Sequence, residues 1–164
     1  MIQRIQTVFL LVAAILLVAA LFFPLWSETD SQKQERAELN VYELRYEKIN
    51  EDGSRGELIN VKQTFYLSIF MFVGAAIALF SIFQYKNRLR QIQLGALNSL
   101  VIAASFLVAI FVYIRKAELL VDPELQGNYE IGFYLPIVAL ICNSIANRFI
   151  RKDEKLVRSA DRLR

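Results

Sequence analysis

The chain has 164 residues, of which 55% are hydrophobic and 21% are charged, with a formal net charge of +3 and no histidine. Charged and apolar residues are segregated into blocks instead of being mixed at helical or strand spacing, and this segregation excludes an ordinary soluble domain. The small positive charge does not indicate nucleic-acid binding, because the basic residues are concentrated beside the apolar blocks.

Four apolar windows, in which the only charged residue is Arg148 near the end of the last, predict membrane-spanning helices. Each contains about 19–21 residues, which at about 1.5 Å per residue spans roughly the 30 Å hydrocarbon core of a bilayer. The predicted helices occupy residues 5–23, 65–83, 94–114 and 132–150. Residues 1–150 are therefore expected to form a four-helix transmembrane domain, with an outer loop at residues 24–64, and residues 151–164 to form a separate tail.

The first window has a second interpretation, a cleaved signal peptide, because residues 18–20 (VAA) resemble a cleavage site. The apolar run is longer than the usual signal-peptide core and continues past this site into LFFPLW. A retained helix is therefore the better prediction.

The outer loop at residues 24–64 contains a predicted β-hairpin. Its first part, SETDSQKQER, is polar and predicts a flexible or loosely helical segment. In ELNVYELRYEKI, Tyr42, Leu44 and Tyr46 fall on one face at the period of a half-buried strand. The Asp52–Gly53 turn signal and a second strand in ELINVKQTFY complete the hairpin, which should rest on the helices. The alternative is an irregular loop with one short strand.

Positive charge predicts how the chain is threaded. Lys86, Arg88 and Arg90 lie between the second and third windows, and residues 148–164 hold seven basic and three acidic side chains. Short flanks rich in Lys and Arg stay on the cytoplasmic side of a membrane. Both termini and the turn between the second and third helices are therefore predicted to be cytoplasmic.

The chain lacks the usual catalytic residues. Without histidine it has neither the commonest general base nor the commonest metal ligand. Its one cysteine, Cys142, lies inside the fourth window, and apart from Arg148 at the end of that window no window contains an ionisable Asp, Glu, Lys or Arg of the kind that marks proton relays. We therefore predict no enzymatic activity, no metal site and no cofactor.

Polar residues within the windows share one depth near the predicted cytoplasmic side: Asn98, Asn143 and Asn147. Hydrogen bonds between helices would fix the bundle at this level. The alternative interpretation is a polar vestibule for a small ligand or a lipid headgroup.

The tail has the pattern of an amphipathic helix that continues the fourth window. Its basic face contains Arg151, Lys155, Arg158 and Arg162, and its apolar face contains Phe149, Leu156, Ala160 and Leu163. One interpretation is a solvated basic segment that only fixes topology. The other, which we prefer, is a contact with a partner protein or the membrane surface through Arg151, Lys155, Leu156, Arg158, Arg162 and Leu163. Nucleic acid is not an expected partner, because no aromatic residues are interleaved with the basic ones.

The two ends of the chain, MIQRIQTVFLLVAAILL and KDEKLVRSADRLR, resemble the bacterial "domain of unknown function 4293" family. The resemblance extends over essentially the whole chain. It implies a small four-helix protein of the bacterial inner membrane with a larger first outer loop and a charged cytoplasmic C-terminus. It implies no activity and no residue role.

The sequence thus predicts an all-α membrane protein: a four-transmembrane-helix bundle with a β-hairpin in the first extracytoplasmic loop and a C-terminal cytoplasmic amphipathic helix. Its expected role is that of a non-enzymatic scaffold, assembly factor or accessory subunit that binds other envelope proteins and contacts membrane lipids. The alternative is a small transporter or lipid-handling protein that uses the polar layer of Asn98, Asn143 and Asn147.

Overall fold

The computed structural model describes residues 2–30, 32–50, 54–117 and 127–161. These residues include four helices that are long and apolar enough to cross a membrane. The helices are α1 (Ile2–Ala19), α2 (Phe65–Phe83), α3 (Arg88–Val108) and α4 (Ile131–Asp161). A 3₁₀ turn at Ala20–Phe22 follows α1, and a π-helical turn at Ala109–Ile114 follows α3.

The helices form a bundle in which each packs against two neighbours. α1 lies between α2 and α4, and α3 contacts the same two helices on the other side. The outward surface is apolar: the side chains of Phe72 and Leu100 are 66% and 69% exposed. Large apolar surfaces of this kind are unfavourable in water and favourable in hydrocarbon, which agrees with helices that span a membrane.

The prediction of an all-α fold is wrong, because the chain also builds a five-stranded antiparallel sheet. The strands are β1 (Trp26–Asp30), β2 (Glu35–Leu39), β3 (Glu43–Ile49), β4 (Arg55–Gln63) and β5 (Asn128–Tyr129). Their order across the sheet is β4-β3-β2-β1-β5. The predicted hairpin corresponds to β3 and β4, which are only two of the five strands.

The polar run predicted to be flexible or loosely helical forms most of β1, the start of β2 and the turn between them. The carboxylate of Asp30 accepts hydrogen bonds from the backbone N–H groups of Gln32 and Lys33, at 2.8 and 3.1 Å. Gln34 then adopts a left-handed conformation with φ of 55°. An Asp side chain closes this turn without the glycine or proline that usually marks one. The sequence pattern therefore did not predict the hairpin of β1 and β2.

Ion pairs across the sheet hold its polar residues in place. The Glu38 carboxylate lies 3.1 Å from the guanidinium groups of both Arg36 and Arg55, and Arg55 also approaches Glu47 at 3.6 Å. The side chains of Glu38 and Glu47 are nearly buried beneath these arginines. Charged residues that would otherwise favour a loop are thus compatible with adjacent strands, because cross-strand partners replace water.

One face of the sheet packs on the end of the bundle and shares its core. Trp26 of β1 and Leu39 of β2 are fully buried in the same cluster as Leu17 of α1 and Leu67 of α2. Gly127 lies against the Trp26 ring so closely that a Cβ atom there would be 2.2 Å from it. The sheet is therefore continuous with the bundle and does not form an independent domain.

The prediction that Tyr42, Leu44 and Tyr46 share a half-buried face of the hairpin is correct in part. Leu44 is buried, and Tyr46 packs at the edge of the core. Tyr42 precedes β3 and is 50% exposed, so its predicted packing is wrong. The reason is that the chain turns at residues 40–42, where the backbone N–H of Asn40 donates to the carbonyl of Glu43. The regular alternation of β3 therefore begins only after Tyr42.

Titration of the tyrosine hydroxyls to alkaline pH should distinguish Tyr46 from a tyrosine with an ordinary pKa. Its hydroxyl donates to the Glu35 carboxylate, and burial together with this hydrogen bond raises the pKa of Tyr46 from 10.0 to about 12. Because the folded-state pKa lies above the unfolded value, this stabilisation is complete below about pH 10 and is lost as the pH rises to about 12. In the absorbance of tyrosinate, Tyr46→Phe should remove a late step that Tyr42→Phe leaves unchanged. A late step of the same amplitude in Tyr46→Phe as in the wild type would contradict this assignment.

Candidate functional site

The predicted polar layer lies at the contact between α3 and α4. Asn98 and Asn143 are fully buried, and the Asn98 Nδ2 donates to the Asn143 Oδ1 at 3.3 Å. Asn143 in turn donates to the Gly95 carbonyl at 2.8 Å and to the Ser99 hydroxyl at 2.9 Å. These contacts join two helices within the core, which favours the interpretation that Asn98 and Asn143 fix the bundle.

Asn147 lies one turn beyond Asn143 and differs from it. Its amide packs against Gly95, where a Cβ atom would be 2.9 Å from the amide carbon. Its one hydrogen bond among the described residues, to the Ile92 carbonyl, is long at 3.4 Å. The side chain is half-buried and faces a groove on the outer surface of the bundle. Asn147 therefore belongs to a surface as well as to the polar layer.

The tail continues α4 as one unbroken helix through residue 161. Arg151, Lys155 and Arg158 are exposed, as predicted for a basic face, although Arg158 donates to Glu154 at 2.8 Å. Leu156 is 51% exposed. Arg162 and Leu163 lie outside the described residues. Because α4 has no break at the end of the bundle, the tail extends in the direction of the helix that precedes it.

Part of the two-faced pattern of the tail has an internal explanation. Phe149 stacks on Phe9 of α1, with ring centroids 6.1 Å apart. One turn further, Asp153 pairs with Arg88 at the start of α3 at 3.1 Å. These contacts use the face of α4 that looks toward the bundle. The basic face looks away from it, and its predicted binding of a partner stays a prediction.

A surface that the sequence did not indicate is the free edge of the sheet. β4 pairs with β3 alone, and eight of its nine residues are exposed. The exposed side chains include Leu58, Ile59 and Val61, at 54%, 45% and 44%. Edge strands present unpaired backbone groups, and most proteins protect such edges with charge or a covering segment. In β4 the apolar side chains lie between the charged residues Glu57 and Lys62, and no strand among the described residues pairs with its outer side, so β4 is a candidate binding surface.

The pairing of β4 shows which of its backbone groups are available. The N–H of Thr64, which follows the strand, donates to the Tyr42 carbonyl at 2.9 Å. Bonded and non-bonded pairs alternate in antiparallel strands, so the Leu44–Lys62 pair is bonded and the Arg45–Val61 pair is not. The N–H and C=O groups of Val61 therefore point away from β3.

Among the described residues, no group of three or more His, Cys, Asp and Glu side chains is placed to hold a metal ion. The absence of enzymatic activity and of a cofactor stays a prediction from composition.

A comparison with known families identifies a match. The model of a family described as "Domain of unknown function (DUF4293)" matches residues 2–163, which is nearly the whole chain. The resemblance identified from the two ends of the sequence is thereby confirmed. A comparison with curated proteins finds none that matches the chain.

Proposed function

Since the chain belongs to the DUF4293 family, a family of unknown function, we propose a role from its own surfaces. The protein is a non-enzymatic subunit of a bacterial inner membrane that assembles with other envelope proteins. The observation that carries this proposal is the exposed edge strand β4. The sequence supports a non-enzymatic role, because it contains no histidine and a single cysteine, which is buried.

In the proposed topology the sheet faces the outside of the cell. The sheet covers one end of the bundle, and basic residues cluster at the other end, where Lys86 and Arg90 follow α2 and Arg148 and Arg151 lie near the end of the apolar part of α4. Positive flanks favour the cytoplasmic side. Both termini are then cytoplasmic, and β4 meets extracytoplasmic proteins.

The proposed partner is an extended segment of another extracytoplasmic protein that adds a strand beside β4. Its backbone would bond to the outward groups of β4, and alternate side chains would cover Leu58 and Val61. A second copy of this chain is a poorer fit. Only Thr64 separates β4 from α2, so antiparallel pairing of two β4 strands in one membrane requires both strands to lie parallel to its surface.

Two substitutions at one position test strand addition. Val61→Pro removes an outward N–H group, which an edge strand tolerates but an added strand requires. Val61→Thr keeps that group and the preference for strand structure. With a photoreactive residue at Ile59, capture of the partner should fall at least about fivefold in Val61→Pro and persist in Val61→Thr, since a lost hydrogen bond costs about 1 kcal/mol.

Thermal unfolding of both variants provides the folding control. If capture is equal in Val61→Pro and Val61→Thr, the partner does not bind as a strand and the proposal fails. A captured species with twice the mass of the chain would replace the proposed partner with a second copy.

A further inference from the structure

A groove between α3 and α4 opens on the outer surface of the bundle, on the half opposite the sheet. Its volume is about 700 Å³, and both helices line it. Its apolar lining consists of two small side chains, Ala96 and Ala103, and two larger ones, Leu100 and Leu140. Leu100 is 69% exposed, so in a membrane this groove faces lipid and not the interior of the bundle.

The polarity of the groove changes along its length. Arg148 and Arg151 lie at its open end, Ser144 and Asn147 of α4 and Ser99 of α3 follow, and the apolar side chains of Ala103 and Leu140 line the other end. At about 1.5 Å per residue, Leu140 is about 16 Å from Arg151 along α4. This length is about half of the roughly 30 Å hydrocarbon core, the depth of one leaflet. The sequence of charged, polar and apolar walls matches the phosphate, ester and acyl regions of a phospholipid.

The two arginines at the open end are free to bind an anion. Both are exposed, and within the described part of the chain neither forms an ion pair, although the nearby Arg88 and Arg158 do. Residues three apart on a helix lie on the same face, with Cβ atoms about 5–6 Å apart. Two guanidinium groups at this spacing can clamp one phosphate with charge-assisted hydrogen bonds.

We infer that this groove is a specific site for one anionic phospholipid. The phosphate lies between Arg148 and Arg151, the Ser144 hydroxyl lies near the ester groups, and one acyl chain lies along Leu100, Ala103 and Leu140. An anionic lipid suits the site better than a zwitterionic one, because a choline or ethanolamine group would bring a positive charge beside two arginines. A soluble anion would leave the apolar end of the groove empty.

Native mass spectrometry of the full chain in mild detergent tests this inference. Phosphatidylglycerol should remain bound at one molecule per chain, at least about tenfold more tightly than phosphatidylcholine with the same acyl chains. Arg148→Gln with Arg151→Gln should reduce the affinity for phosphatidylglycerol to that for phosphatidylcholine. The control, Lys86→Gln with Arg90→Gln, removes two exposed cations at the same end of the bundle that do not line the groove, and binding should stay within about twofold.

A second experiment distinguishes lipid binding in the apolar part of the groove from attraction to the two arginines at its open end. Ala103→Phe fills the apolar part without changing any charge and should weaken phosphatidylglycerol binding at least about fivefold. Inorganic phosphate in excess should not displace the lipid. Equal retention of the two lipids, equal losses in the two double variants, full binding by Ala103→Phe, displacement by phosphate, or a protein helix cross-linked in the groove in place of lipid would each overturn the inference.

Discussion

Replacing Gly132 by alanine should cause a large loss of stability for the addition of a single methyl group. Gly132 is the second residue of α4, and its N–H donates to the Pro24 carbonyl at 2.9 Å. A Cβ atom there would lie 2.4 Å from the Pro24 oxygen and 2.5 Å from the Phe23 oxygen. Both are backbone atoms that cannot rotate away. The start of α4 must shift, at a cost of about 3 kcal/mol.

The same shift should loosen the sheet. The N–H of Glu130 donates to the Leu25 carbonyl at 3.0 Å, and β5 pairs with β1 through residues only a few positions before Gly132. Moving α4 away from residues 23–25 therefore separates both contacts. We expect Gly132→Ala to unfold at a clearly lower temperature in detergent and to be cleaved by protease within residues 24–64 before the helices are.

Gly74→Ala is the matched control. Gly74 lies inside α2, and a Cβ atom there would meet the ends of the Leu17 and Asn98 side chains at 3.1 and 3.2 Å. The Leu17 side chain can move by a few tenths of an ångström, and alanine favours helix over glycine by about 0.5–1 kcal/mol. The net change should be small. Equal unfolding temperatures for Gly132→Ala and wild type would show that the α4 start is not held by the Pro24 and Phe23 carbonyls.

An element of the fold could be predicted where its apolar residues form a recognisable pattern in the sequence. α2 occupies Phe65–Phe83, the residues of the second apolar window, because a bilayer selects a continuous apolar length. β1 carries no such pattern: its buried positions are Trp26, Glu28 and Asp30. Alternation of apolar and polar residues cannot reveal a strand whose buried side chains are mostly acidic, since only tertiary contacts make that burial favourable.

The candidate surfaces show the same limit. The spacing of Asn143 and Asn147 placed both on one face of a helix, but only the position of α3 shows that one is buried and the other lies in a groove. The exposed edge at β4 follows from the strand order and not from its own residues. The two-residue strand β5 is too short to have a period. The burial of the asparagines, the exposure of β4 and the formation of β5 all depend on contacts between segments that are distant in the sequence.

Replacing Asn143 by leucine should be the most disruptive change in the polar layer. Leucine has nearly the same shape, so the substitution leaves no large cavity. It removes the donors to the Gly95 carbonyl and the Ser99 hydroxyl, and it leaves the buried Asn98 amide without its acceptor. Bonds between membrane helices contribute about 0.6–1.7 kcal/mol each, and an unsatisfied buried group costs about 1–3 kcal/mol. We expect a loss of about 2–3 kcal/mol, measured by unfolding in detergent.

Two further variants test whether the loss of stability comes from the hydrogen bonds of Asn143 or from any substitution at the contact between α3 and α4. Asn147→Leu removes only one long hydrogen bond and should cost less than about 1 kcal/mol. Asn98→Leu combined with Asn143→Leu leaves no orphaned amide in the pair, so its cost should be smaller than the sum of the two single costs. If the double variant is instead additive and Asn147→Leu is as damaging as Asn143→Leu, the helices are held by close packing at Gly95 and not by the bonds of Asn143.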